Sequence, residues 1–373
     1  SAPVQGGFQV AYTTGNGTAT VVTDYTDNDG SLTFTGTAGE AKTWTVDVLG
    51  DNLVEANETF EAALGAITLT SAIQLAAISL SGSPQTATIT NDDAATVSLA
   101  GNVSQSEATT PQTFTVNLSN PVDVDVTLNF ATTDVTALTS DNDYTAVNQT
   151  VTFLAGTTTA QTVDVAITND NKVEANEVYN VALSALSASG RSVSFGTTSG
   201  TGTITNDDAA TVTLTGTIAK AEGNTGTVDY IFTATLTNPV QGGFTVAYTT
   251  SDGTATIADN DYTDNDGSLT FTGTANETKT ITVQAKGDLK IEDNELFTVA
   301  LGAISGAPAG VTVAGTAQTG TIENDELDWG DAPTAAQSGF ASSYPTTLAD
   351  NGARHKLAPG GVFLGATVSA DLD

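Results

Sequence analysis

The 373-residue sequence contains no cysteine and no methionine. Without cysteine, disulfides, thiolate metal sites and thiol catalysis are excluded. The only histidine is His355, which stands beside Arg354 with no nucleophile near it, and we interpret it as structural. No run of about 18 apolar residues occurs, so we expect no membrane insertion in this segment.

Basic residues are also scarce. Lysine and arginine together number 9 against 43 aspartates and glutamates, which gives a formal net charge of −34. Such a charge disfavours nucleic acid and anionic membranes as partners and favours cations. Aromatic residues make up 6% of the chain, with Trp44 and Trp329 as the two tryptophans. The sequence therefore offers no aromatic platform on which sugar rings stack.

An acidic motif occurs three times, at residues 51–58, 170–177 and 288–295. Each copy follows an Asp-Tyr pair and precedes an Asn-Asp pair. The tyrosines Tyr25, Tyr144 and Tyr262 are spaced by 119 and 118 residues, which is the length of one folded domain. A fixed period of this kind indicates a tandem array. Carboxylates that recur in register suggest a cation site repeated along the array.

Short runs alternate apolar and polar residues, for example 213–217, 244–248, 268–272 and 279–283. This period of two predicts half-buried strands, and the Asp-Gly pairs between the runs are typical of turns. No amphipathic helix of three turns is evident. About seven short strands in each repeat predict an all-β fold of tandem immunoglobulin-like antiparallel β-sandwiches in an elongated array.

The repeat register predicts four segments: repeat 1 at 1–93, repeat 2 at 94–208, repeat 3 at 209–325, and a different module at 326–373. No Gly/Ser-rich or Pro-rich linker separates the repeats, which favours a stiff array. Residues 24–38 are identical to 261–275, yet repeat 1 lacks a counterpart of 209–236, so we expect its first strands to be missing. Either the chain is a fragment, or a neighbouring molecule fills the open edge by strand addition.

The motifs in this order resemble the Calx-beta domain family. The resemblance covers roughly residues 1–325 and is clearest in repeat 3, in Ala221-Glu222-Gly223, Asp261-Tyr262, Glu295-Leu296-Phe297 and Thr321-Ile322-Glu323-Asn324-Asp325. It implies a seven-stranded sandwich whose loops at one end bind calcium. It also implies that tandem copies in a bacterial protein are parts of a large surface or adhesion protein. Residues 326–373 resemble the start of a module found beside domains of the GEVED type in such proteins.

Carried over residue by residue, the resemblance implies Ca²⁺ ligands at Asp24, Asp51, Glu55, Asp92, Asp93, Glu107, Asp143, Asp170, Glu174, Asp207, Asp208, Glu222, Asp261, Asp288, Glu292 and Asp325. Calcium takes six to eight oxygen ligands, and these acids include no histidine or cysteine that would favour zinc or copper. Glu58, Glu177 and Glu295 fit the site as well, but each precedes a core aromatic or apolar strand and can also brace it. The acidic run is shorter than in the strongest calcium binders of the family, so we expect weaker affinity or fewer ions.

We therefore expect an extender or stalk segment of a secreted, calcium-binding cell-surface adhesin or filament, located at the bacterial cell surface. Its partners would be calcium ions, neighbouring repeats, and other copies or a host ligand. A ligand-binding adhesion module for glycan or protein, a strand-exchanging filament subunit and a calcium sensor of the exchanger type are the alternatives. An enzyme is disfavoured, because the same acids recur in every repeat and catalytic pairs rarely do.

Overall fold

The computed structural model describes residues 2–69 and 78–326, together with the backbone of two short strands at 328–329 and 354–355. All regular elements in these residues are β-strands, which confirms the all-β prediction. No helix in this part of the chain is long and apolar enough to cross a membrane. The chain divides into two compact units: residues 1–105, 109–168 and 177–204 form the first, and residues 106–108, 169–176 and 205–373 form the second.

Repeat 2 folds as a sandwich of two sheets. Its strands are β5 (Ala95–Leu99), β6 (Val103–Ser106), β7 (Gln112–Leu118), β8 (Val126–Asp134), β9 (Asn148–Phe153), β10 (Gln161–Val165), β11 (Glu177–Ser187), β12 (Val193–Phe195) and β13 (Ser199–Thr205). One sheet has the order β10-β7-β5-β12 and the other β6-β13-β11-β8-β9. Alternate residues of β7 and β8 are buried, among them Phe114, Val116 and Phe130, as the period of two predicts.

Repeat 3 has the same architecture. Its strands are β14 (Ala210–Thr215), β15 (Ile218–Ala221), β16 (Thr227–Leu236), β17 (Phe244–Asp252), β18 (Tyr262–Thr263), β19 (Gly267–Phe271), β20 (Thr278–Lys286), β21 (Glu295–Ser305), β22 (Val311–Ala314) and β23 (Gln318–Glu323). The sheets have the orders β18-β20-β16-β14-β22 and β15-β23-β21-β17-β19. Phe232, Phe271 and Phe297 lie fully buried in its core.

The prediction of antiparallel pairing holds for most strands, but not for the first strand of each complete sandwich. In repeat 3 that strand is interrupted at Gly216, and its two halves pair in parallel with β22 and β23 in opposite sheets. Gly216 has a φ of +129° and its α-carbon faces Phe232 closely, a conformation and a space that favour glycine. The interruption lets one strand take part in both sheets, with β15 at the edge of one and β14 between β16 and β22 in the other.

Repeat 1 differs, because its described residues form a single sheet of order β2-β1-β3-β4. The strands are β1 (Phe8–Asn16), β2 (Gly30–Phe34), β3 (Glu58–Leu69) and β4 (Gln85–Ile89). They correspond to β17, β19, β21 and β23 of repeat 3. A small cluster of Ala19, Tyr25 and Phe60 forms its buried core.

A valine in the acidic motif docks on the repeat that follows it. We call Val54 and Val173 the junction valines, and residues 121–123 and 239–241 the acceptor segments. Within the first compact unit, Val54 donates its N–H to the Pro121 carbonyl (2.9 Å) and accepts from the Asp123 N–H (3.1 Å). Its side chain is fully buried in the core of repeat 2.

The same contact occurs within the second compact unit. Val173 donates to the Pro239 carbonyl (2.9 Å) and accepts from the Gln241 N–H (2.8 Å). Its side chain is fully buried in the core of repeat 3. Each junction is therefore a short parallel bridge with an apolar anchor.

The proposed module at 326–373 lies almost entirely outside the described residues. Only the backbone pairing of β24 (Asp328–Trp329) with β25 (Arg354–His355) is defined there.

Candidate metal centres

Three carboxylates converge where the acidic motif meets the Asp-Tyr pair. In repeat 1 they are Asp24, Glu55 and Glu58, and in repeat 3 they are Asp261, Glu292 and Glu295. One oxygen from each residue lies within 4.8 Å of an oxygen from the other two. We call each of these groups the mid-repeat cluster. The structure thus brings Glu58 and Glu295 into the group as well as the predicted residues.

The aspartate of the mid-repeat cluster is fixed by its own loop. Asp24 accepts a hydrogen bond from the Thr20 N–H (2.6 Å), and Asp261 accepts one from the Thr256 N–H (2.7 Å). The tyrosine that follows each aspartate is fully buried, so the backbone at this point is anchored in the core. The loop therefore holds the aspartate beside the two glutamates of its cluster.

In repeat 2 the corresponding acids are divided between the two compact units. Asp143 and Glu177 belong to the first, where Asp143 accepts from the Leu138 N–H (2.7 Å) and Glu177 is buried at the start of β11. Glu174 belongs to the second, where it pairs with Lys172 at 2.5 Å. The local arrangement of Asp143 matches that of Asp24 and Asp261.

A second group forms at the end of each complete sandwich. It consists of Glu107, Asp207 and Asp208 for repeat 2, and of Glu222, Asp325 and Glu326 for repeat 3. We call it the end cluster. Glu107, Glu222 and Glu326 are each only 4% exposed. Two or more carboxylates in such a place repel one another and are poorly hydrated, so they need a proton or a cation.

The pKa values of the clustered glutamates reflect this repulsion and poor hydration. Burial, with the charges of Glu326 and Asp288 nearby, raises the pKa of Glu222 to about 8. Burial is also the main reason that the pKa of Glu107 rises to about 7, with Asp208 and Asp170 adding to it. In the mid-repeat clusters, burial and the neighbouring acids raise the pKa values of Glu55 and Glu295 to about 7.

The donor set of the end cluster fits a hard divalent cation. Glu326 Oε2 and Asp208 Oδ2 are buried and have no hydrogen-bond partner in the part of the chain that the structure describes. Buried polar atoms are rarely left in this state, and every donor here is an oxygen. Calcium prefers such oxygen ligands and accepts irregular arrangements of them, whereas zinc favours nitrogen and sulfur.

Two asparagines connect the acidic motif to the end of each repeat. In repeat 3, Asn324 Oδ1 accepts from the Glu292 N–H (3.0 Å), and the Asn324 N–H donates to Asn294 Oδ1 (3.2 Å). The same pair of bonds is made in repeats 1 and 2 by the equivalent asparagines, namely Asn91 with Asn57 and Asn206 with Asn176. These asparagines hold the two acidic segments of one repeat in a fixed relation.

The first aspartate of each motif caps a turn within its own motif. Asp51, Asp170 and Asp288 each accept a hydrogen bond at 2.7 Å from the N–H two residues later. None is part of the close carboxylate groups found in the described residues. Asp170 and Asp288 nevertheless lie near enough to Glu107 and Glu222 to raise the pKa of each. Asp170 and Asp288 therefore lie at the border of the end cluster, and each caps the turn of its own acidic motif.

Asp92 and Asp93 of repeat 1 are not brought into a cluster within the described part of the chain. Asp92 is exposed, and the Asp93 carbonyl accepts from Asn91 Nδ2 (2.8 Å). Their equivalents in the other repeats face Glu107 and Glu222, which have no counterpart in the described repeat 1.

Sequence reasoning missed Glu326. The end of repeat 2 reads Asn206-Asp207-Asp208 and that of repeat 3 reads Asn324-Asp325-Glu326. Alignment of the two repeats therefore places Glu326 at the position of Asp208 and could have identified it as a site residue. The predicted boundary at 325 had placed this residue in the following module.

Three segments, residues 1–95, 90–208 and 205–326, match the family model described as the Calx-beta domain. The chain belongs to the Calx-beta family. Domains of this family are calcium-binding regulatory or structural domains and not enzymes, which confirms the expectation that the chain is not an enzyme.

Solved Calx-beta structures also resemble the chain. The CBD12 structure of CALX1.2 shares 18% identity, with a TM-score of 0.30, and covers 61% of this chain and 99% of its own length. The apo-form Calx CBD1 domain shares 18% identity, with a TM-score of 0.29, over 31% of this chain and 100% of its own. The CBD12 of CALX1.1, described as a calcium binding domain, shares 17% identity, with a TM-score of 0.30, over 61% and 99%. No curated protein matches the chain.

Proposed function

We propose that this chain is a calcium-binding extender of a secreted bacterial surface protein, in which calcium at the acidic loops stiffens a tandem array of Calx-beta domains. The observation that carries the proposal is the end cluster of repeat 3. There, three carboxylates lie together, two of them are buried, and Glu326 Oε2 has no hydrogen-bond partner among the described residues.

The residues that would hold calcium are those of the two clusters. In repeat 3, Glu222, Asp325 and Glu326 would bind at the sandwich end, with Asp288 beside them, and Asp261, Glu292 and Glu295 would bind in the mid-repeat cluster. A divalent cation supplies the positive charge that makes ionised, buried carboxylates stable. Without calcium, protons take the place of the cation. The raised pKa values of the clustered glutamates mean that some of these carboxylates are protonated near neutral pH.

Stiffening follows from the position of the clusters along the chain. Glu174 directly follows the junction valine Val173, and its N–H is held by Asn206, next to Asp207 and Asp208. A cation bound by these acids would restrict the loop whose valine docks on repeat 3. Calcium that binds the folded state alone also stabilises each repeat by mass action, by about 2.7 kcal/mol at 100 times its dissociation constant.

An extracellular surface position is supported by three properties of the chain. The net charge of −34 keeps a long array soluble, the repeats join without flexible linkers, and short acidic loops suit the millimolar calcium found outside cells. Modules with few formal charges bind calcium in that concentration range.

Calcium titration by calorimetry tests the proposal. We expect wild-type chain to bind calcium, and we expect the double variant Glu222→Gln, Glu326→Gln to lose the sites of one end cluster. Glu61→Gln serves as the control, because Glu61 is exposed on β3 and outside every cluster. Wild-type chain that takes up no calcium at millimolar concentration would refute the proposal, and a double variant with unchanged stoichiometry would refute the assignment of the end cluster.

Strand exchange between copies is the second candidate, and one feature of repeat 1 favours it. Residues 42–48 correspond to most of β20, yet they form no strand, and Val48 is 53% exposed. An added strand would cover this edge. A peptide with the sequence of β16, residues 227–236, would then bind the chain, and absence of binding would exclude this mode.

A further inference from the structure

We propose that the first strand and the last two strands of repeat 3 form a mechanical clamp, which resists a pulling force applied along the chain. We call β14 and β15 together the first strand, and the pairs that they form with β22 and β23 the clamp. A need to bear load rests on the extender function proposed above, whereas the clamp itself does not depend on calcium.

The position of the two ends of repeat 3 sets the direction of the force. A pulling force enters the repeat at Ala209 and leaves it at Glu326, because the chain is continuous through both residues. The first strand runs from Ala210 to Ala221, and Ala221 pairs with Glu323 at the end of β23. The start of the first strand and the end of the last strand therefore lie at opposite ends of the sandwich.

The parallel pairing in the clamp loads many hydrogen bonds at once. β14 pairs in parallel with β22 over four residues, and β15 pairs in parallel with β23 over four residues. Parallel strands pulled from opposite ends slide past each other, so the evenly spaced hydrogen bonds between them share the force. An antiparallel pair pulled at two adjacent ends opens one bond at a time, and it yields at a lower force.

A buried tyrosine joins the two strands of one half of the clamp. The Tyr230 hydroxyl lies 2.8 Å from the Lys220 carbonyl of β15 and 2.9 Å from the Thr321 carbonyl of β23, so it can donate to either. Tyr230 is fully buried, and the Lys220 ammonium lies 5.7 Å from the centre of its ring. Sliding of β15 against β23 separates the hydroxyl from one of the carbonyls, and a buried group left without its partner is costly.

Threonine side chains bridge both halves of the clamp at the surface. Thr217 Oγ1 donates to Gln318 Oε1 (3.3 Å), next to β15 and on β23. Thr211 Oγ1 lies 3.4 Å from Thr312 Oγ1, across β14 and β22. Each contact joins residues 101 positions apart in the chain, so extension of the repeat by its ends must break both.

Repeat 2 holds its last strand at the same point with a different side chain. Gln112 stands one period before Tyr230, and its Nε2 donates to the Thr203 carbonyl of β13, the counterpart of the Thr321 carbonyl (2.7 Å). The Gln112 amide oxygen accepts from the Tyr179 hydroxyl of β11 (2.7 Å). A fully buried hydrogen-bonding side chain therefore contacts the last strand in both complete repeats.

Single-molecule force spectroscopy of the whole chain in chelator tests the clamp. The chain has no cysteine, so two introduced cysteines alone define the points of attachment. Attachment through Ala209→Cys and Asp373→Cys loads repeat 3 along the clamp, and its unfolding lengthens the tether by about 400 Å. Attachment through Thr227→Cys and Lys286→Cys, which pair at one end of β16 and β20, peels an antiparallel pair instead. We expect this second direction to need less than half of the force.

Removal of one hydroxyl provides the sharper readout along the clamp. At a fixed force, Tyr230→Phe should unfold about tenfold faster, since forced unfolding follows the unfolding rate and a buried hydrogen bond is lost. Tyr248→Phe is the matched control, because its hydroxyl donates to Asn265 Oδ1 (3.3 Å) outside the clamp, and it should leave the rate unchanged. Thr217→Val, a surface change, should accelerate unfolding in the same direction by a smaller factor. Circular dichroism confirms that each variant is folded.

Equal unfolding forces in the two directions of loading overturn the inference. So does a folded Tyr230→Phe or Thr217→Val variant that unfolds at the wild-type rate along the clamp, or a Tyr248→Phe variant that is accelerated as much as Tyr230→Phe. The calcium titration described above is independent of these outcomes. A chain with the clamp that takes up no calcium loses only the calcium-dependent stiffening, and a chain that binds calcium without resisting force loses only the clamp.

Discussion

Repeats 1 and 3 share the sequence of residues 24–38 and 261–275, yet their surroundings differ. In repeat 3, β20 pairs with β16 along nine residues, and Ile281, Val283 and Ala285 are buried. In repeat 1, the equivalent residues 42–48 form no strand, and their β-pairing is limited to one isolated bridge between Tyr25 and Val48. The described part of repeat 1 has no counterpart of β16.

The comparison of repeats 1 and 3 shows that a strand and a carboxylate cluster depend on different parts of the sandwich. An alternating sequence becomes a strand only when another strand supplies hydrogen bonds and packing, so β-propensity depends on context. The mid-repeat cluster, in contrast, has the same arrangement in both repeats. Its loop is fixed by the asparagine pair, by the buried tyrosine and by the start of β3 or β21, and all of these are present in both repeats.

The largest difference between the two repeats should appear on removal of equivalent core phenylalanines. Phe297 contacts the rings of Tyr230, Phe232 and Tyr262, so Phe297→Ala should lower the free energy of unfolding of repeat 3 by about 4 kcal/mol. Phe60 stacks on Tyr25 in a core of three residues, and Phe60→Ala should cost about 1–2 kcal/mol. Scanning calorimetry of both variants measures the shifts. Equal losses would show that repeat 1 has a second layer of similar size.

A smaller difference is expected in the response to pH. The pKa of Glu222 is about 8 and that of Glu295 about 7, both above the ordinary value of a glutamate. Between the ordinary value and these, the folded state binds protons that the unfolded state has released, so stability falls as pH rises. In chelator, the transition of repeat 3 should fall by about 5 °C between pH 6 and 8.5, and that of repeat 1, where Glu55 has a pKa of about 7, should fall less.

Calcium provides the control for this experiment, since a bound cation stabilises the ionised acids. With saturating calcium the pH dependence of repeat 3 should disappear. A transition that rises with pH in chelator would contradict the assignment of these glutamates as uncompensated buried acids.

The smallest effect concerns the lysine of the motif. Lys290 pairs with Glu292 in repeat 3, while the equivalent residue in repeat 1 is Leu53. Lys290→Leu should raise the calcium affinity of the mid-repeat cluster roughly two- to threefold, because an exposed ion pair competes only weakly with the metal. Calorimetric titration measures this. Lys279→Leu is the matched control, since Lys279 pairs with Glu277 outside the clusters, at 2.9 Å. An equal change in both variants would indicate a general effect of net charge.

The sequence was sufficient to predict the fold class and the acidic loops, because both depend on local patterns that repeat. Alternation predicted strands such as β17 and β19, and the repeated acids predicted Glu55, Glu292 and Glu222 as site candidates. That Asp51 and Asp288 cap their own turns was not predicted, since spacing alone does not separate a turn aspartate from a ligand.

The junction valines were also missed, for a physical reason. Val54 and Val173 stand alone among acids and asparagines, where a single apolar residue has no periodic pattern to mark it. Their burial depends on the acceptor segment of another repeat about 67 residues further on, Val122 for Val54 and Val240 for Val173. The available signal was an apolar β-branched residue, valine or isoleucine, at the same position of all three motifs.

The junction contact also has a consequence for how such a gene grows. Repeat 2 carries both halves of the contact, the acceptor segment 121–123 and the junction residue Val173, so loss or gain of one such repeat leaves the remaining halves matched. A duplication of any other length would bury an acidic loop without its valine, or a valine without its acceptor. A change in array length by whole repeats therefore preserves the junctions, whereas a change by part of a repeat breaks one.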